Sequence, residues 1–417
     1  MTTWVARPES GKELNRRLIL DQIRRNAQIS RSDLVRLTGL SKATVSSIVA
    51  ELMEAGLVEE VGNQNPPVGR PRILLSLVAD ANFTLGAELT DEECRVVLTN
   101  LHAEPIRRVY RAVGSTDLSP ERLIPVLEAC VTEAVDGVDP ACILAMGVCV
   151  PGIVDPSSGT VTLSVMLPWR DVPLGAELNS RFPFPVAVFS RGTAATWGER
   201  WYGVGKDVSN LLYVRVGSGI VAGLVINGQP YLGRNFGAGE LGHFTVQPDG
   251  ALCRCGNRGC LATLATTGVL LSRVRQLLRE MPDAAMSRAM QENFDHLKLE
   301  DVVAAAEAGA PAALQAFAEV GRWLGIALGS TINLLNLDMV VIGGPMALAG
   351  DYLLQPLRQE LHQRALPTHL AQMSLVASML KEDAPAVGAA SLVLHELFSP
   401  VRTSAGMLPA DRVSLFA

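Results

Sequence analysis

Three of the chain's seven cysteines lie within eight residues, in the segment CRCGNRGC from residue 253 to residue 260. This spacing constrains the fold, because three thiolates can share one metal ion only if the chain between them turns tightly. Gly256 and Gly259 supply the backbone freedom that such a turn needs. Three reduced cysteines on a loop remain an alternative, since this spacing without a fourth ligand is a weak metal motif.

The other cysteines are scattered among apolar residues, and we predict that they are small core residues: Cys94, Cys130, Cys142 and Cys149. The N-terminal sequence MTTWVARPESGKELNRR lacks the apolar segment of a signal peptide. No apolar run reaches the roughly 18 residues that a membrane span needs. We therefore expect a cytoplasmic protein without membrane segments.

The positive charge of the chain is concentrated at its N-terminus. Residues 1–80 contain 11 lysines and arginines against 9 acidic residues, a net charge of +2, whereas the remainder has 25 against 33, or −8. The total of −6 gives the whole chain no preference for nucleic acid, and a length of 417 residues predicts two or three domains. The charge contrast separates the first 80 residues from the rest.

Residues 13 to 55 have helical spacing, with breaks at capping residues. The first predicted helix places four apolar residues on one face: Leu14, Leu18, Ile19 and Ile23. Ser30, with Asp33 three residues later, resembles a capping box at the start of a second helix. Gly39 stands where the C-cap of that helix belongs, and Ser41 is predicted to cap a third helix.

The third predicted helix, SKATVSSIVAEL, has one apolar face and one polar face. Val45, Ile48 and Leu52 recur at the spacing of a buried stripe. The opposite face carries short polar and basic side chains: Lys42, Thr44, Ser46 and Ser47. Two helices joined by a tight turn, the second with such a face, predict a helix-turn-helix whose second helix enters the major groove of DNA.

A predicted two-stranded wing follows the helices. Residues 57–61 and 73–77 read as strands, and the loop GNQNPPVGRPR between them carries Arg70 and Arg72 around Pro71. The two guanidinium groups are predicted to enter a narrow minor groove, where the negative potential is strongest. The alternative is a helical protein-docking module with solvated arginines. We favour DNA, because the helix spacing, the polar face and the wing all agree.

After residue 80 the chain alternates between strands and helices, which indicates an α/β architecture. The strand-like segments are FTLGAEL, CRVVLTNL, ILAMGVCV, VAVFS, LLYVRVG, GLVING and MVVIGG. Helical spacing is found at 120–135, 265–280 and 313–335. The glycine-rich turns of VRVGSGIVAG and VVIGGP could hold a phosphate, but such turns are as often merely tight.

In this order the segments resemble the ROK family, in which an actin-like, two-lobed sugar kinase fold occurs alone or behind a winged helix-turn-helix. The resemblance runs from about residue 13 to about residue 397. It is most specific at GELGHFTV (239–246) and CRCGNRGC. Within the family, the chain resembles regulators of the N-acetylglucosamine and xylose repressor type. The resemblance implies the following division: a DNA-binding domain at 1–80, an actin-like effector and oligomerisation domain at 81–400 with lobes at about 81–190 plus 380–400 and at 191–379, and a C-terminal tail at 401–417.

The family's zinc ligands match four residues of this chain: His243, Cys253, Cys255 and Cys260. One imidazole and three thiolates make a closed four-coordinate set, so the resemblance implies a structural zinc ion without an open position for catalysis.

The kinase motifs of the family are altered. Its first phosphate loop, D-x-G-G-T, corresponds to GAELTDEE, where Thr90 and Asp91 replace glycines and further carboxylates would repel a phosphate. The base of the family lies in an E-N-D stretch, which here reads Phe189-Ser190-Arg191. An arginine cannot accept a proton at neutral pH. We therefore predict that the protein is not an enzyme; the alternative is a kinase that phosphorylates a hexose with ATP.

The sugar-binding residues of the family are only partly retained. Ala262 stands where the family usually has a glutamate, whereas Glu240 and His243 remain. The predicted effector-binding residues are Ser190, Arg191, Glu240 and His243. A cationic Arg191 favours an anionic effector such as a sugar phosphate or sugar acid. Alternatively, Arg191 pairs with Glu199 or Glu240 and the pocket binds no sugar.

Together these observations predict a cytoplasmic, sugar-responsive transcription regulator, and the resemblance favours a repressor. We expect double-stranded operator DNA and a sugar or sugar phosphate as partners. One winged module buries too little surface for tight operator binding, so a homodimer or tetramer is expected. The zinc site is expected to brace the loop that presents Glu240 and His243 to the cleft between the lobes.

Overall fold

The computed structural model of the chain describes residues 11–26, 28–64, 72–114, 116–280, 296–399 and 408. Its N-terminal part contains three helices and three strands: α1 (Gly11–Arg25), β1 (Ile29–Ser30), α2 (Arg31–Thr38), α3 (Lys42–Glu54), β2 (Val58–Gln64) and β3 (Arg72–Leu77). The strands form an antiparallel sheet in the order β1-β3-β2. The predicted winged helix-turn-helix is confirmed.

The helix boundaries follow the predicted caps. The hydroxyl of Ser30 accepts a hydrogen bond from the backbone N–H of Asp33, and the hydroxyl of Ser41 caps α3 in the same way. Gly39 ends α2 in the left-handed region with a φ of 70°, where a residue without a Cβ is favoured. These caps fix the turn between α2 and α3, and thereby the orientation of α3 relative to α2.

Helix α1 buries a different face from the one predicted. Ile19 and Ile23 are fully buried, as expected, but Leu14 is 41% exposed and Leu18 is only half-buried. Leu20 completes the buried face instead. The physical reason is that α1 packs on two sides, against the helices of its own module and against the C-terminal helix of the following domain. A single predicted stripe cannot describe such a helix.

The rest of the chain is built on two five-stranded mixed sheets and one small antiparallel sheet. The first large sheet has the order β11-β7-β4-β5-β6, with β4 (Phe83–Leu89), β5 (Glu93–Thr99), β6 (Pro105–Ala112), β7 (Ile143–Val150) and β11 (Val186–Ser190). The second has the order β14-β13-β12-β15-β16, with β12 (Leu211–Val216), β13 (Ile220–Ile226), β14 (Gln229–Pro230), β15 (Met339–Gly343) and β16 (Ser374–Ala377). The small sheet contains β8 (Ile153–Asp155), β9 (Thr160–Ser164) and β10 (Trp169–Val172).

Both large sheets pair three strands in parallel and continue with two antiparallel strands. Their helices are α4 (Pro120–Ala134), α5 (Leu174–Arg181), α6 (Arg191–Tyr202), α7 (Thr267–Glu280), α8 (Leu299–Glu307), α9 (Pro311–Leu335), α10 (Asp351–Arg364), α11 (Pro367–Leu370) and α12 (Ala384–Phe398). The predicted α/β class is confirmed, and strands or helices occupy all the segments that the sequence pattern marked for them.

Helices α6 and α12 pack against each other at the centre of the molecule, where backbones approach very closely. A Cβ atom on Gly388 would lie 1.7 Å from the carbonyl oxygen of Ala194, and one on Gly198 would lie 2.7 Å from that of Ala384. Only glycine fits at these two positions. Helix α12 also covers β4 and β7 of the first sheet, whereas α6 packs on β12 and β13 of the second.

One apolar core continues from the DNA-binding module into this helix pair. Its buried members include Ile19, Leu34 and Val45 of the module, and Trp197, Leu392 and Phe398 of α6 and α12. The module is therefore packed onto the following domain rather than held by a linker alone. None of the described helices is both long enough and apolar enough to cross a membrane.

Candidate functional site

The clustered cysteines and the histidine come together at one point. The ligand atoms of four residues all lie within 4.8 Å of one another: His243, Cys253, Cys255 and Cys260. Sγ of Cys255 lies 3.8 Å from Sγ of Cys260, and Sγ of Cys253 lies 3.7 Å from Nδ1 of His243. With zinc–sulfur bonds of about 2.3 Å, the edge of a tetrahedron measures about 3.8 Å. The donor set therefore fits a four-coordinate metal ion.

The loop conformation produces this convergence. Gly256 and Gly259 adopt φ values of 92° and 65°, in the left-handed region that the tight turn was predicted to need. Thr245 pairs with Cys260 in an antiparallel bridge, which brings the strand-like segment after His243 beside the last cysteine. The segments GELGHFTV and CRCGNRGC thus form one compact unit.

The imidazole of His243 links this unit to Glu240. Because Nδ1 faces the sulfur atoms, Nε2 is directed the other way and lies 3.8 Å from Oε2 of Glu240. Burial raises the pKa of Glu240, and His243 opposes this shift. A carboxylate behind a ligating imidazole is a common outer-shell arrangement, because it orients the ring.

An open cleft lies at the N-terminus of α6. Its lining is mostly apolar: Val154, Pro156, Phe189, Ser190, Thr193, Pro230, Leu232 and Phe236. Of the predicted effector residues, only Ser190 lines it directly. Glu240 is close by, since Gly192 in the first turn of α6 and Gly239 both pack on the backbone carbonyl of Ala222.

Arg191 is buried in an ion pair. Its side chain is 6% exposed, and Nε lies 2.8 Å from Oε1 of Glu88, which is 1% exposed. The two atoms are not aligned as a hydrogen bond, so the contact is mainly electrostatic. Burial lowers the pKa of Arg191, the charge of Arg215 lowers it further, and Glu88 opposes both effects. This pairing favours the alternative in which Arg191 binds a carboxylate, with Glu88 as a partner that sequence reasoning missed.

Neither of the carboxylates considered from the sequence pairs with Arg191. Glu199 is fully buried and accepts hydrogen bonds from the backbone N–H groups of Val204 and Leu380, each at 3.0 Å, and from the hydroxyl of Ser378. Its oxygens are thereby committed to the chain segments that flank the helix pair. Glu240 lies beside His243 instead.

A second arginine extends the buried charge cluster into the other sheet. Arg215 on β12 is 8% exposed, and its Nη2 lies 3.4 Å from Oε2 of Glu382, just before α12. Burial opposes the charge of Arg215, but Glu88 and Glu382 outweigh it and raise the pKa of its guanidinium. Opposite charges from both sheets thus meet in the interior. A nucleotide phosphate would need open space and free donors, and these paired side chains offer neither.

The loop that corresponds to the family's first phosphate loop has satisfied its own donors. The hydroxyl of Thr90 accepts hydrogen bonds from the backbone N–H groups of Glu92 and Glu93 and donates to the carbonyl of Glu93. The N–H of Thr90 bonds the same carbonyl. These N–H groups are therefore not available to cradle a phosphate, in agreement with the predicted loss of nucleotide binding.

The outer face of α3 carries the predicted base-reading side chains. Lys42 and Ser47 are exposed, and Thr44 and Ser46 are half-buried. Glu51 on the same helix forms two ion pairs. Its Oε1 lies 2.9 Å from Nζ of Lys12, and its Oε2 contacts the guanidinium of Arg16. Hydrogen bonds from these two cations lower the pKa of Glu51. Glu51, whose Oε1 lies 3.5 Å from the hydroxyl of Ser47, is thereby paired, and it repels a DNA backbone less than a free carboxylate.

Of the predicted wing, the structure describes the two strands, β2 and β3. Arg72 begins β3, is 47% exposed at its side chain, and has Nη1 3.7 Å from Oδ1 of Asp33. This contact is long and exposed, so it leaves the guanidinium free to exchange a carboxylate for a phosphate. Arg70 lies outside the described residues, and its predicted role stays a prediction.

Comparisons with known proteins agree with this architecture. The family model described as the ROK family matches residues 85–396, and that of the MarR family matches residues 13–66. The chain is 34% identical over 391 residues to a putative xylose repressor of Caldicellulosiruptor sp. (strain Rt8B.4), covering 93% of this chain and 97% of that protein. It is 29% identical over 398 residues to the DNA-binding transcriptional dual regulator NagC of Escherichia coli (strain K12), covering 94% of each.

Among the solved structures, a regulator superposes on more of this chain than a kinase does. A ROK family transcriptional regulator described as a homologue of the E. coli MLC protein superposes with a TM-score of 0.80 at 25% identity, over 93% of this chain and 98% of that one. A ROK family glucokinase from Streptomyces griseus, in complex with glucose and AMPPNP, superposes with a TM-score of 0.69 at 27% identity. This match covers 99% of the kinase chain but 75% of the present chain.

Proposed function

The chain belongs to the ROK family, and we propose that it is a repressor whose affinity for operator DNA is set by a neutral sugar bound in the cleft at the N-terminus of α6. It is a transcription regulator rather than a kinase, since regulators match it along nearly its whole length and it carries a winged helix-turn-helix. The alternative, an ATP-dependent hexose kinase, is opposed by the self-satisfied loop at Thr90 and by an arginine in place of the base.

The observation that carries the choice of effector is the ion pair between Arg191 and Glu88. Glu88 neutralises the buried Arg191, and none of the described residues that line the cleft is a cation that could bind an anionic effector. Its apolar lining with a few polar groups is typical of small-molecule sites. Ser190 and Glu240 would contact sugar hydroxyls, and His243 would orient Glu240. The putative xylose repressor named above is consistent with a sugar ligand.

The proposed metal is zinc, bound by the three thiolates and by Nδ1 of His243. A closed set of one nitrogen and three sulfur donors is typical of structural zinc sites, in which the ion stabilises a local fold. Here it would hold the loop that carries Glu240 against β13.

On the DNA side, α3 would read bases in the major groove through Lys42, Thr44, Ser46 and Ser47, while Arg70 and Arg72 enter the minor groove. A single module contacts too little DNA for tight binding, so a homodimer or a tetramer on a two-fold-related operator is part of the proposal. The site of action would be the cytoplasm, where the DNA is.

Two experiments test this function. Genome-wide mapping of DNA bound by the full-length protein should identify an operator fragment, and the genes beside it should indicate the sugar. The fragment is then titrated in the presence of D-xylose, N-acetyl-D-glucosamine, D-glucose or glucose 6-phosphate. We expect one of the neutral sugars to weaken operator binding at least tenfold. A response to glucose 6-phosphate alone would refute the neutral-effector proposal.

A matched pair of variants locates the effector site. Glu240→Gln should retain operator binding but lose the response to the sugar, because an amide cannot accept the same hydrogen bonds as a carboxylate. Glu300→Gln, an exposed change in the first turn of α8, should behave as the wild type. Equal responses of the two variants would exclude Glu240 from the effector site.

A further inference from the structure

Helix α6 extends from the effector cleft to the DNA-binding module. At its N-terminus, Ser190 and Thr193 line the cleft, and the hydroxyl of Ser190 caps the helix. At its C-terminus, Trp201 faces α1 of the module. Twelve residues at about 1.5 Å each separate the two ends by about 18 Å. One rigid element therefore touches both functional regions.

The contact at the C-terminal end is a stacked arginine. The guanidinium carbon of Arg24 lies 4.3 Å from the ring centroid of Trp201, and that of Arg25 lies 5.6 Å away. Asp21 holds both arginines, with one oxygen 2.7 Å from Nη2 of Arg24 and the other 2.7 Å from Nε of Arg25. The side chains of Asp21 and Arg24 are 3% and 6% exposed. A cation that is paired and buried in this way stacks strongly on an indole ring, and its position is fixed.

Trp201 is itself fixed by two further rings. Its centroid lies 5.8 Å from that of Trp197 and 5.3 Å from that of His395 on α12. Trp197 and His395 lie 5.2 Å apart, so the three rings form a closed triangle. The end of α6, the end of α12 and the end of α1 are thus joined at one cluster, and α1 cannot shift without a change in the stacking on Trp201.

The packing of α6 prevents it from absorbing a displacement locally. A Cβ atom on Gly192 would lie 2.4 Å from the carbonyl oxygen of Ala222 on β13, and Gly198 and Gly388 are in similarly close contact with the helix opposite. Tightly packed helices move as units rather than bend, because any bend requires a clash. A shift imposed on the first turn by a ligand in the cleft is therefore carried to Trp201.

We propose that Trp201 is the positioning residue of the DNA-binding module, and that α6 couples the occupancy of the cleft to the orientation of α1 through the stacking of Arg24 on Trp201. This inference rests on the proposed function, since it names the route by which cleft and operator communicate. Coupling between two sites is reciprocal, so operator binding must also change the conformation or the dynamics of the first turn of α6.

Reciprocity provides a test that does not require the effector. Hydrogen exchange of residues 190–196 is measured in the full-length protein with and without the mapped operator fragment, in the wild type, Trp201→Leu, Trp201→Phe and Trp323→Leu. Trp323 on α9 is the matched control, because the guanidinium carbon of Arg322 lies 5.7 Å from its ring centroid. Trp323 packs on a different apolar core from the one that the DNA-binding module shares. We expect the operator to change exchange in this segment at least threefold in the wild type and in Trp323→Leu, to have no effect in Trp201→Leu, and to have most of its effect in Trp201→Phe.

The outcomes are distinguishable. If Trp201→Leu binds the operator and still transmits the change to residues 190–196, or if the wild type binds the operator without any such change, the coupling route is wrong although the DNA-binding function stands. If the wild type binds no operator, the proposed function fails and this inference with it. Should Trp201→Leu not fold, Arg24→Lys removes the flat guanidinium from the ring while it keeps the charge beside Asp21, and it must give the same loss.

Discussion

Nε of Arg191 lies 2.8 Å from Oε1 of Glu88, with both side chains buried between the first sheet and the start of α6. The resemblance to the kinase motif implies a catalytic base at the position of Arg191, so the arginine in place of that base also forms this buried ion pair. The proposal that the cleft is a receptor rests on this pairing.

Removal of one partner of this pair should be strongly destabilising. Arg191→Met removes the ion-pair partner of the buried Glu88, although the charge of Arg215 still acts on this carboxylate, and we expect a loss of about 3–5 kcal/mol in the free energy of unfolding. Combining it with Glu88→Met should recover most of that loss, because neither member of the pair is then left uncompensated, while Arg215 keeps its ion pair with Glu382. Arg181→Met, which breaks the exposed pair of Arg181 with Glu128, is the control and should cost less than about 1 kcal/mol. Urea unfolding of the variants measures these values, and equal losses for both arginines would contradict the account.

Stability should fall between pH 7 and pH 5 because of His395. Burial, together with the charge of Arg24, lowers the pKa of this imidazole to about 4, whereas the unfolded chain has its ordinary value of 6.5. Arg25 and Asp21 also face the ring, and they oppose each other. The unfolded chain therefore binds a proton in this window when the folded chain does not, which costs about 2 kcal/mol at pH 5.

The variant His395→Phe isolates this contribution. It keeps an aromatic ring against Trp197 and Trp201 but cannot titrate, so its urea midpoint should change less between pH 7 and pH 5 than that of the wild type. An identical pH dependence in both proteins would assign the loss of stability to other groups.

Loss of one metal ligand should release the ion. Cys255→Ser should lower the zinc content from about one ion per chain, and we expect the unfolding temperature to fall by about 5–10 °C, as a loss of a few kcal/mol predicts. Cys142→Ser lies outside the cluster and should retain both the metal and the unfolding temperature. Elemental analysis and calorimetry give the two readings, and a full zinc content in Cys255→Ser would remove this thiolate from the ligand set.

The wing should contribute electrostatically to operator binding. Arg72→Ala removes a cation whose nearest carboxylate, Asp33, is 3.7 Å away and easily exchanged. We expect weaker operator binding and a decrease of about 1 in the slope of log K against log salt. Arg122→Ala, an exposed arginine on α4, serves as the control for a change of net charge. The prediction fails if both variants have the wild-type slope.

The sequence predicted local features well, because they depend on residues that are close together in the chain. The caps at Ser30 and Ser41, the left-handed Gly39 and the strand ILAMGVCV were all placed correctly. Helix α12 was not singled out, because nearly all its residues are buried and it has no amphipathic pattern. The exposure of Leu14 was missed because α1 packs on two sides.

Long-range charge pairing could not be predicted in the same way. The family resemblance implied that Arg191 stands in place of a base, and it left open whether the arginine would face a ligand or a carboxylate. The parallel pairing of β4, β7 and β11 decides this, since it brings Glu88 beside the start of α6. The stacking of Arg24 on Trp201 is equally a product of tertiary packing. The four residues of the candidate metal cluster were grouped together from the sequence because the segment around His243 and the cysteine cluster carry recognisable spacing, and the structure brings their ligand atoms together.

The most direct measurement of the central claim is a titration of labelled operator DNA with the full-length protein in the absence of nucleotide, with and without the neutral sugar found in the screen. The account predicts that the sugar alone weakens operator binding at least tenfold. An operator affinity that none of the tested sugars changes, or that changes only when ATP is supplied with the sugar, would contradict it.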